Sequence, residues 1–539
     1  MSKSVEPVLV VGGGPVGLAL AGDLGWRGIS CLLIEQSDGS IYQPRMDLVG
    51  IRTMEFCRRW GLVPAVEASP YPRDYAQDNV YLTSLTGHEL GRERFPGIGQ
   101  APPPPQSPQR RERCPQNMFD PILRAFAASQ PGVSLRYRTR LLSFTQSAER
   151  VVALVESAAT GAREEIAAQY IVGCDGARST VRETLGIAMA GNPVLTYTTN
   201  VIFRCPHLLS LHDKGKAYRH ILIGPDGTWS TIVAINGRDE WRFSIIGGAE
   251  ARAYTTAEIE TAIRRAVGCD FEFEILSVLP WVRRELVAER YGNGRGFIAG
   301  DAAHVMSPTG GFGMNTGIGD AVDLSWKLAA VLEGWGGDAL LASYGIERQP
   351  VGARNVAEAS GNLRRMLGVG AHPDLLDETR QGAATRAKVG REFAETMRRE
   401  WFTLGIHLGY RYEGSPICWP DRTPPPPDEA KTYVPTARPG HRAPHAWLAD
   451  GRSTLDLFGR GFALLGFGTG AAQAAPLLAA ARRRNLPMSF HAIAEPQIAA
   501  LYERKFVLVR PDGHVAWRDD EMPADALAVI DVVRGAAAQ

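Results

Sequence analysis

The stretch VLVVGGGPVG at residues 8–17 decides the fold of the N-terminal part of the chain. Its first four residues are apolar and mostly β-branched, which predicts a short buried strand, and glycines follow at once. Residues 16–24 have the composition of a helix, and CLLI at residues 31–34 predicts a second strand that ends at Glu35. Two strands and a helix within about 30 residues predict a βαβ unit.

The glycines of this unit have the spacing of a dinucleotide-binding fingerprint. Gly12 permits the tight turn, Gly14 lets the backbone approach a pyrophosphate, and Gly17 lets the helix pack closely on the strand. The N-terminus of that helix offers free N–H groups and a positive dipole end to the phosphates. Glu35 can accept hydrogen bonds from both hydroxyls of an adenosine ribose. These residues predict dinucleotide binding, with NAD and FAD equally open at this point.

Two further motifs lie downstream. CDGARS at 174–179 closes a predicted strand, although an Asp-Gly pair alone is more often an ordinary turn. GDAAH at 300–304 and PTGGFGMNTG at 308–317 predict a strand end, a glycine-rich loop and a helix from about residue 317 to 334. Asp301 can bind a ribityl hydroxyl, and the helix N-terminus can stabilise the negative charge of a reduced isoalloxazine. A loop that serves packing alone is the alternative, which its length and its place after the strand disfavour.

In their residues and in their order along the chain, the three motifs resemble those of the single-component flavoprotein aromatic hydroxylases, the family of para-hydroxybenzoate hydroxylase. The likeness is strongest to the longer branch, which includes the 3-(3-hydroxyphenyl)propionate hydroxylases and the polyketide hydroxylases. It covers residues 5 to about 410 well, and the C-terminal part matches that branch more weakly. The sequence departs from many relatives at Met46, where they have alanine.

The resemblance assigns cofactor contacts residue by residue. Arg45 matches an arginine near the flavin and its pyrophosphate, and Asp175 belongs to a motif implicated in both FAD and NAD(P)H binding. Arg45, Pro308 and His304 are the candidate catalytic residues, although a structural, hydrogen-bonded role is favoured for His304. The residues assigned to FAD are Gly12, Gly14, Pro15, Gly17, Glu35, Gln36, Arg45, Gln116, Asp175, Gly176, Asp301, Pro308, Gly311, Gly313, Met314 and Asn315.

The chemistry that the resemblance implies is carried by FAD, with NADH or NADPH as the co-substrate. A hydride reduces the flavin, O2 adds at its C4a atom, and the resulting hydroperoxide transfers a hydroxyl group to an electron-rich phenol ring. The protein then has to orient a small aromatic substrate, exclude water and stabilise the flavin, and it needs neither a catalytic triad nor a metal site. Family habit also implies a homodimer.

The predicted fold class is α/β, with a Rossmann-like FAD-binding domain, an inserted antiparallel β-sheet substrate domain and a C-terminal thioredoxin-like domain. Alternating strands punctuated by PDG at 225–227 and NG at 236–237 predict the inserted sheet. Four prolines at 424–427 predict a linker, and no CxxC pair lies beyond them. The predicted limits are 1–75, 106–188 and 281–355 for the FAD-binding domain, 76–105 and 189–280 for the substrate domain, 356–423 for a helical segment, and 424–539 for the C-terminal domain.

Substrate contacts are expected on the inserted sheet, which should cover one face of the flavin site. Alternation along a strand sends neighbouring side chains to opposite faces, so only some candidates should face the pocket. An arginine there can hold a carboxylate through two hydrogen bonds, although a solvated arginine is the ordinary alternative. We expect the charged run at 110–113 to be a solvated loop. The substrate candidates are Arg204, Tyr218, His220, Trp229 and Arg242.

Composition narrows the class of protein. A net charge of +1 leaves no strong field for nucleic acid or an acidic membrane surface. The longest uncharged stretch, residues 461–481, contains glycines and a proline, so we predict a buried strand and helix rather than a membrane span. Seven scattered cysteines without a CxxC pair, and an N-terminus without the pattern of a signal peptide, predict a cytoplasmic enzyme with reduced thiols.

Other functions remain open on the sequence alone. Oxidases, Baeyer–Villiger-type monooxygenases and isoprenoid reductases share the nucleotide motifs, but the loop at 310–317 and the C-terminal domain favour aromatic hydroxylation. Denitrating hydroxylation of a nitroaromatic ring is a variant of the same chemistry. A non-catalytic flavin or NAD sensor is disfavoured because all three motifs are present.

Overall fold

The structure is a computed structural model, and it describes residues 5–42, 44 and 46–536. Strands in this part of the chain are β1 (Glu6–Val11), β2 (Cys31–Ile34), β3 (Leu48–Val49), β4 (Asn79–Leu82), β5 (Glu89–Glu93), β6 (Glu112–Arg113), β7 (Val133–Arg136), β8 (Thr139–Gln146), β9 (Val151–Ser157), β10 (Arg163–Gly173), β11 (Met189–Arg204), β12 (Arg219–Gly224), β13 (Gly227–Ala234), β14 (Glu240–Ile246), β15 (Glu274–Ala288), β16 (Gly292–Asn293), β17 (Gly296–Ile298), β18 (His304–Val305), β19 (Phe462–Phe467), β20 (Met488–Ile493), β21 (Phe506–Val509) and β22 (Val515–Asp519).

The α-helices of the same residues lie mainly in four places: beside the parallel sheet, on the antiparallel sheet, in the segment after residue 338, and in the C-terminal part. In chain order they are α1 (Pro15–Trp26), α2 (Ile51–Arg59), α3 (Val63–Glu67), α4 (Gln116–Ala128), α5 (Thr180–Thr184), α6 (Thr256–Val267), α7 (Gly313–Leu332), α8 (Ala339–Leu367), α9 (Arg380–Trp401), α10 (Leu404–Leu408), α11 (Ala471–Arg483), α12 (Pro496–Tyr502) and α13 (Ala526–Val533).

A mainly parallel sheet forms the centre of the N-terminal part. Its strand order is β16-β17-β10-β1-β2-β7, with β9 antiparallel beside β10 and β8 beside β9. β1 runs parallel to both β2 and β10, which confirms the predicted βαβ unit. The apolar residues Val8–Val11 are buried in this strand. Because parallel strands share one direction, the carboxyl ends of β1, β2, β10 and β17 meet at one edge of the sheet, where ligands of such folds bind.

A second sheet of eight strands has the order β18-β15-β11-β14-β13-β12-β4-β5. Neighbouring strands are antiparallel except for β12 and β4. The predicted hairpins are present, with turns at Gly227 and Gly237, whose φ angles of +107° and +68° favour glycine. One face packs on α6, and the other packs on α8 and α9 near its outer strands. The rest of that second face is left for the cavity described below.

The C-terminal part contains a four-stranded sheet of order β20-β19-β21-β22. β20 is parallel to β19, and the remaining pairs are antiparallel. This sheet packs against α7 through Trp326, whose ring centroid lies 6.0 Å from that of Phe462. Residues 461–481 form β19 and α11, as predicted. Within the described chain, no helix is both long and apolar enough to cross a membrane.

Two features differ from the sequence-based expectation. α7 begins at Gly313, four residues before the predicted start, because its first turn consists of glycine-rich loop residues that periodicity does not mark as helical. Two predicted domain limits fall inside continuous elements, 280/281 within β15 and 355/356 within α8. Both elements pass from one part of the fold to the next without a turn, so no local signal marks the passage.

Candidate functional site

A cavity of about 860 Å³ joins the carboxyl edge of the parallel sheet to the open face of the antiparallel sheet. This volume is ordinary for a site that holds a cofactor or a small-molecule ligand. Gly17 and Asn315 lie behind its wall, and Arg45 lies outside the described residues. The predicted cofactor residues that line it are Gly12, Gly14, Pro15, Glu35, Gln36, Gln116, Asp175, Gly176, Asp301, Pro308, Gly311, Gly313 and Met314.

At each glycine of the first motif, the surroundings show a different reason for the absence of a side chain. Gly12 has a φ of +109°, and a Cβ there would lie 2.3 Å from the carbonyl oxygen of Cys174. A Cβ on Gly17 would lie 1.9 Å from the carbonyl oxygen of Gly12. A Cβ on Gly14 would meet no protein atom within 4 Å. Gly14 therefore faces open cavity at the N-terminus of α1, which has no side-chain cap, and this geometry suits a pyrophosphate.

The carboxylate of Glu35 is fixed at the end of β2. Its Oε2 accepts a hydrogen bond from Gly13 N–H at 2.7 Å, and its Oε1 accepts one from Ser37 N–H at 2.8 Å. Each carboxylate oxygen can accept a second hydrogen bond. Glu35 is thus held beside the cavity with acceptor positions left for ribose hydroxyls.

Asp175 both lines the cavity and organises the start of α5. Its Oδ1 accepts a hydrogen bond from Ser179 Oγ at 2.5 Å, and its Oδ2 accepts one from Val181 N–H at 3.2 Å. Burial raises the pKa of Asp175, and the hydrogen bonds from Ser179 and Val181 only partly offset that effect. The loop that carries Gly176 is therefore held in place by local hydrogen bonds.

The glycine-rich loop before α7 is held in place by Asn315. Its Nδ2 donates to the carbonyl oxygens of Gly311 at 2.7 Å and Leu48 at 3.1 Å, and its Oδ1 accepts from Gly50 N–H at 2.7 Å. The first turn of α7 has no acidic residue and no side-chain cap. Its N–H groups and positive dipole end suit the pyrimidine end of a flavin, which gains negative charge on reduction. The residues on the parallel-sheet side of the cavity and in the glycine-rich loop therefore fit FAD.

His304, a candidate catalytic residue, does not line the cavity. Its fully buried ring makes a 2.7 Å hydrogen bond through Nε2 to Asp320 Oδ2, and Arg348 Nε donates to Asp320 Oδ1 at 2.8 Å. Burial raises the pKa of Asp320, but the charges of Arg348 and His304 outweigh burial and hold it below its usual value. The geometry supports the structural interpretation of His304, because its ring points into the junction of α7 and α8.

Asp47 is the centre of a polar cluster on the cavity wall that the sequence did not reveal. It accepts hydrogen bonds from Arg113 Nη1 at 2.7 Å and Tyr218 Oη at 2.6 Å, and Arg242 Nη2 lies 3.6 Å away. Burial raises the pKa of Asp47, yet Arg113, Arg242 and the Tyr218 hydrogen bond together hold it below its usual value. The Arg113 guanidinium also stacks 3.6 Å from the centroid of the Tyr218 ring.

Glu400, at the end of α9, joins the antiparallel sheet to the glycine-rich loop. Its Oε1 accepts hydrogen bonds from Arg219 Nη1 at 2.8 Å and from Gly310 N–H at 3.2 Å. The Arg219 guanidinium lies 5.4 Å from the centroid of the Trp401 ring, and both residues line the cavity. These contacts fix the distance between the glycine-rich loop and the antiparallel sheet.

Two of the five predicted substrate residues, Tyr218 and Arg242, line the cavity. His220 does not: it sits on the opposite face of the sheet from Arg219, and its ring packs 6.0 Å from that of His212. Trp229 contacts Phe243 on the α6 side of the sheet, with ring centroids 6.2 Å apart. Arg204 lies beyond the end of the cavity, where it pairs with Glu274 at 2.8 Å on the surface.

The run of arginines at 110–113 is not a solvated loop. Arg113 is buried in β6, which pairs with β3, and Arg111 lines the cavity with its guanidinium 5.1 Å from the Phe95 ring. A two-residue strand leaves no periodic signal, so only the tertiary pairing shows its burial. The cavity residues that sequence reasoning did not name include Asp47, Arg111, Arg113, Arg219, Arg283 and Glu400.

The fold and the cavity define a flavoprotein oxidoreductase, and comparisons with known proteins narrow the class. Residues 6–359 match the family described as FAD binding domain, and residues 436–536 match the aromatic-ring hydroxylase C-terminal domain. The chain belongs to the FAD-dependent aromatic-ring hydroxylases and is a flavin monooxygenase of the aromatic and polyketide hydroxylase type, with FAD as its cofactor.

Individual relatives match over nearly the whole chain. The chain is 35% identical to tetracenomycin B2 monooxygenase-dioxygenase of Streptomyces olivaceus, over 99% of this chain and 98% of the relative. The structure of the rebeccamycin biosynthetic enzyme RebC soaked with chromopyrrolic acid, with bound 7-carboxy-K252c, is 41% identical, covers 99% of this chain and 100% of that chain, and has a TM-score of 0.91. A ternary complex of aklavinone-11 hydroxylase with FAD and aklavinone is 30% identical, with a TM-score of 0.81 and coverage of 99% and 100%.

Proposed function

We propose that this protein hydroxylates a phenolic aromatic compound, using NADH or NADPH and O2 as co-substrates. The proposal rests on the cavity, in which the cofactor motifs lie opposite the polar face of the antiparallel sheet. Bound FAD supplies the activation of O2 and the transfer of one oxygen atom. The second oxygen atom leaves as water, and NAD(P)H supplies the two electrons.

The side chains of the protein serve this reaction by positioning and electrostatics. The N-terminus of α7 stabilises negative charge at the flavin, and the sheet presents Asn200, Thr231 and Ser244 as hydrogen-bonding groups for an oxygenated ring system. Ser244 Oγ already donates to Asn200 Oδ1 at 2.8 Å, so two of these groups are held in one arrangement. Some relatives are named for polyketides, such as the aklavinone of the hydroxylase complex, and others for phenol or 2,4-dichlorophenol. Between these two groups, we propose a polycyclic phenol here.

The test is oxygen-dependent turnover by the purified holoenzyme. NADH and NADPH consumption is measured in air with hydroxyphenylpropionates, resorcinols, nitrophenols and polycyclic phenols. We expect one class to stimulate flavin reduction and to yield a product heavier by one oxygen atom. Bound FAD with stimulation only by a ketone or an alkene would instead favour a Baeyer–Villiger-type monooxygenase or an isoprenoid reductase. Nitrite release from the nitrophenols would assign the denitrating variant.

We also propose the division of the chain into an FAD-binding part, an inserted substrate sheet and a C-terminal part of thioredoxin-like element order. The separate packing clusters of the antiparallel sheet and of the C-terminal sheet support it. Limited trypsin digestion of the holoenzyme should cut at the exposed Arg422 or Lys431, which flank the proline-rich segment 423–430, before it cuts either sheet.

A further inference from the structure

Four arginines of the antiparallel sheet line the cavity, namely Arg219, Arg242, Arg283 and Arg284, and the structure provides carboxylate partners for the first two. Arg242 lies 3.6 Å from Asp47, and Arg219 donates to Glu400 at 2.8 Å. Of the other two, Arg283 is the more deeply buried, and it forms no ion pair with a carboxylate of the described residues. Its hydrogen bonds go to neutral hydroxyl groups.

The contacts of Arg283 hold its guanidinium without neutralising it. Its Nε donates to Thr198 Oγ1 at 3.1 Å, and its Nη1 donates to Ser307 Oγ at 3.3 Å. The residue is only 5% exposed, and its guanidinium carbon lies 5.2 Å from the centroid of the Trp281 ring. Burial lowers the pKa of Arg283 to about 9, the charge of Arg219 adds to this effect, and the carboxylate of Glu400 partly opposes it. A buried charge without an ion-pair partner is costly, so an anion bound next to Arg283 would stabilise it.

The position of Arg283 indicates where such an anion would bind. Ser307, which accepts its hydrogen bond, also accepts one from Thr309 Oγ1 at 2.9 Å, and Pro308 lies between them in the glycine-rich loop. Arg283 itself lines the cavity next to this loop. An anion bound there would lie beside the ring end of the cofactor, on the sheet that faces the substrate.

We propose that the substrate is an aromatic carboxylate and that Arg283 binds its carboxylate group. The planar guanidinium presents parallel N–H donors that match the two oxygens of a carboxylate. The proposal rests on the proposed function, because it names the class of substrate for the same cavity. It makes Arg283 a residue that determines specificity, with Thr198 and Ser307 fixing its orientation.

The experiment compares binding of a phenolic acid with its neutral amide. Dissociation constants of 3-hydroxy-2-naphthoate and 3-hydroxy-2-naphthamide, and of chromopyrrolic acid and its dimethyl ester, are measured from the change in flavin absorbance of the holoenzyme. We expect the acid of at least one pair to bind at least about tenfold more tightly than its neutral analogue. Arg283→Met should abolish that preference, and Arg283→Lys should retain part of it.

A matched control uses Arg204, which lies at the surface outside the cavity: Arg204→Met should keep the full preference for the acid. FAD content and thermal unfolding of every variant establish that it is folded. The proposal is overturned if the wild-type protein prefers no acid, or if Arg283→Met keeps the preference. It is also overturned if Arg283→Met changes only FAD affinity or the flavin reduction potential, because the anion would then belong to the cofactor.

The proposed function fails separately from this inference. Wild-type protein that binds no FAD, or that gives no oxygenated product with any phenol, contradicts the hydroxylase assignment. Hydroxylation of neutral phenols with no preference for acids is consistent with the hydroxylase assignment. It contradicts only the inference that the substrate is a carboxylate.

Discussion

Tyr218 donates its phenolic hydrogen to Asp47 Oδ2 at 2.6 Å, across the seam between the antiparallel sheet and the segment before β3. The same carboxylate accepts from Arg113 and lies near Arg242. One acidic side chain therefore pairs with two arginines, of which Arg113 is buried, and orients one phenol on the cavity wall.

Asp47→Asn should destabilise the protein, because Arg113 and Arg242 lose their counter-charge. We expect a loss of about 3–5 kcal/mol in the free energy of unfolding at pH 7, measured by urea denaturation. The pKa of Asp47 is held below its usual value of 3.8, so its contribution is present above pH 3.8 and is lost as the pH falls further. The difference between wild type and variant should shrink below about pH 4. Asp450→Asn, in an exposed pair with Arg452, is the control and should leave the urea midpoint nearly unchanged. Equal stability of wild type and Asp47→Asn at pH 7 would contradict the cluster's role.

Two glycines of the first motif should respond differently to alanine. Gly14→Ala meets no protein atom, so the apoprotein should keep its stability within about 0.5 kcal/mol while FAD binds at least about tenfold more weakly. Gly17→Ala would press on the Gly12 carbonyl and should destabilise the apoprotein by about 1–3 kcal/mol. Fluorescence titration with FAD and urea unfolding separate the two effects. Gly248→Ala, whose Cβ would meet open space, is the control, and unchanged FAD affinity in Gly14→Ala would refute the pyrophosphate assignment.

His304→Leu should act on stability and not on proton transfer. The variant loses the buried hydrogen bond to Asp320, and we expect about 1–3 kcal/mol of destabilisation by thermal unfolding. The pH profile of kcat/KM for the best phenol should keep its shape. Disappearance of one ionisation from that profile, with unchanged stability, would show instead that His304 takes part in the chemistry.

The pair of Arg442 and Glu55 should hold the C-terminal part to α2. Arg442 Nε donates to Glu55 Oε2 at 2.9 Å, and both side chains are buried. Arg442→Met should cost about 3–5 kcal/mol in the free energy of unfolding. Burial raises the pKa of Glu55, but Arg442 and Arg52 outweigh it and lower the pKa to about 2. The contribution of the pair should be constant above about pH 5 and decline as the pH falls from 4.5 towards 2.

The control for this prediction is another ion pair between the same two parts of the fold. Arg58 and Asp456 are 2.7 Å apart but partly exposed, so Arg58→Met should cost less than about 1 kcal/mol. A loss in Arg58→Met as large as that in Arg442→Met would show that burial does not decide the strength of these contacts.

The sequence by itself determined the cofactor half of this protein. Gly12, Gly14 and Gly17 lie in one short segment, and the reason for each is steric and local, so spacing alone predicts the turn and the helix N-terminus. The same holds for the hairpins at Gly227 and Gly237, because glycine adopts the positive φ of these turns without the steric cost that a Cβ would add. Motifs of this kind carry their geometry within a few residues.

Only the tertiary structure determined which residues line the cavity on the side of the antiparallel sheet. Asp47, Arg283 and Glu400 come from a loop, a strand and the end of a helix, and no spacing relates them in the chain. His220 and Arg219 are neighbours in sequence, yet one packs beneath the sheet and the other lines the cavity. The strand period sends adjacent side chains to opposite faces, but the packing of α6, α8 and α9 determines which face is open. Whether an arginine is neutralised depends on carboxylates from distant segments, so the free charge of Arg283 became visible only in the folded chain.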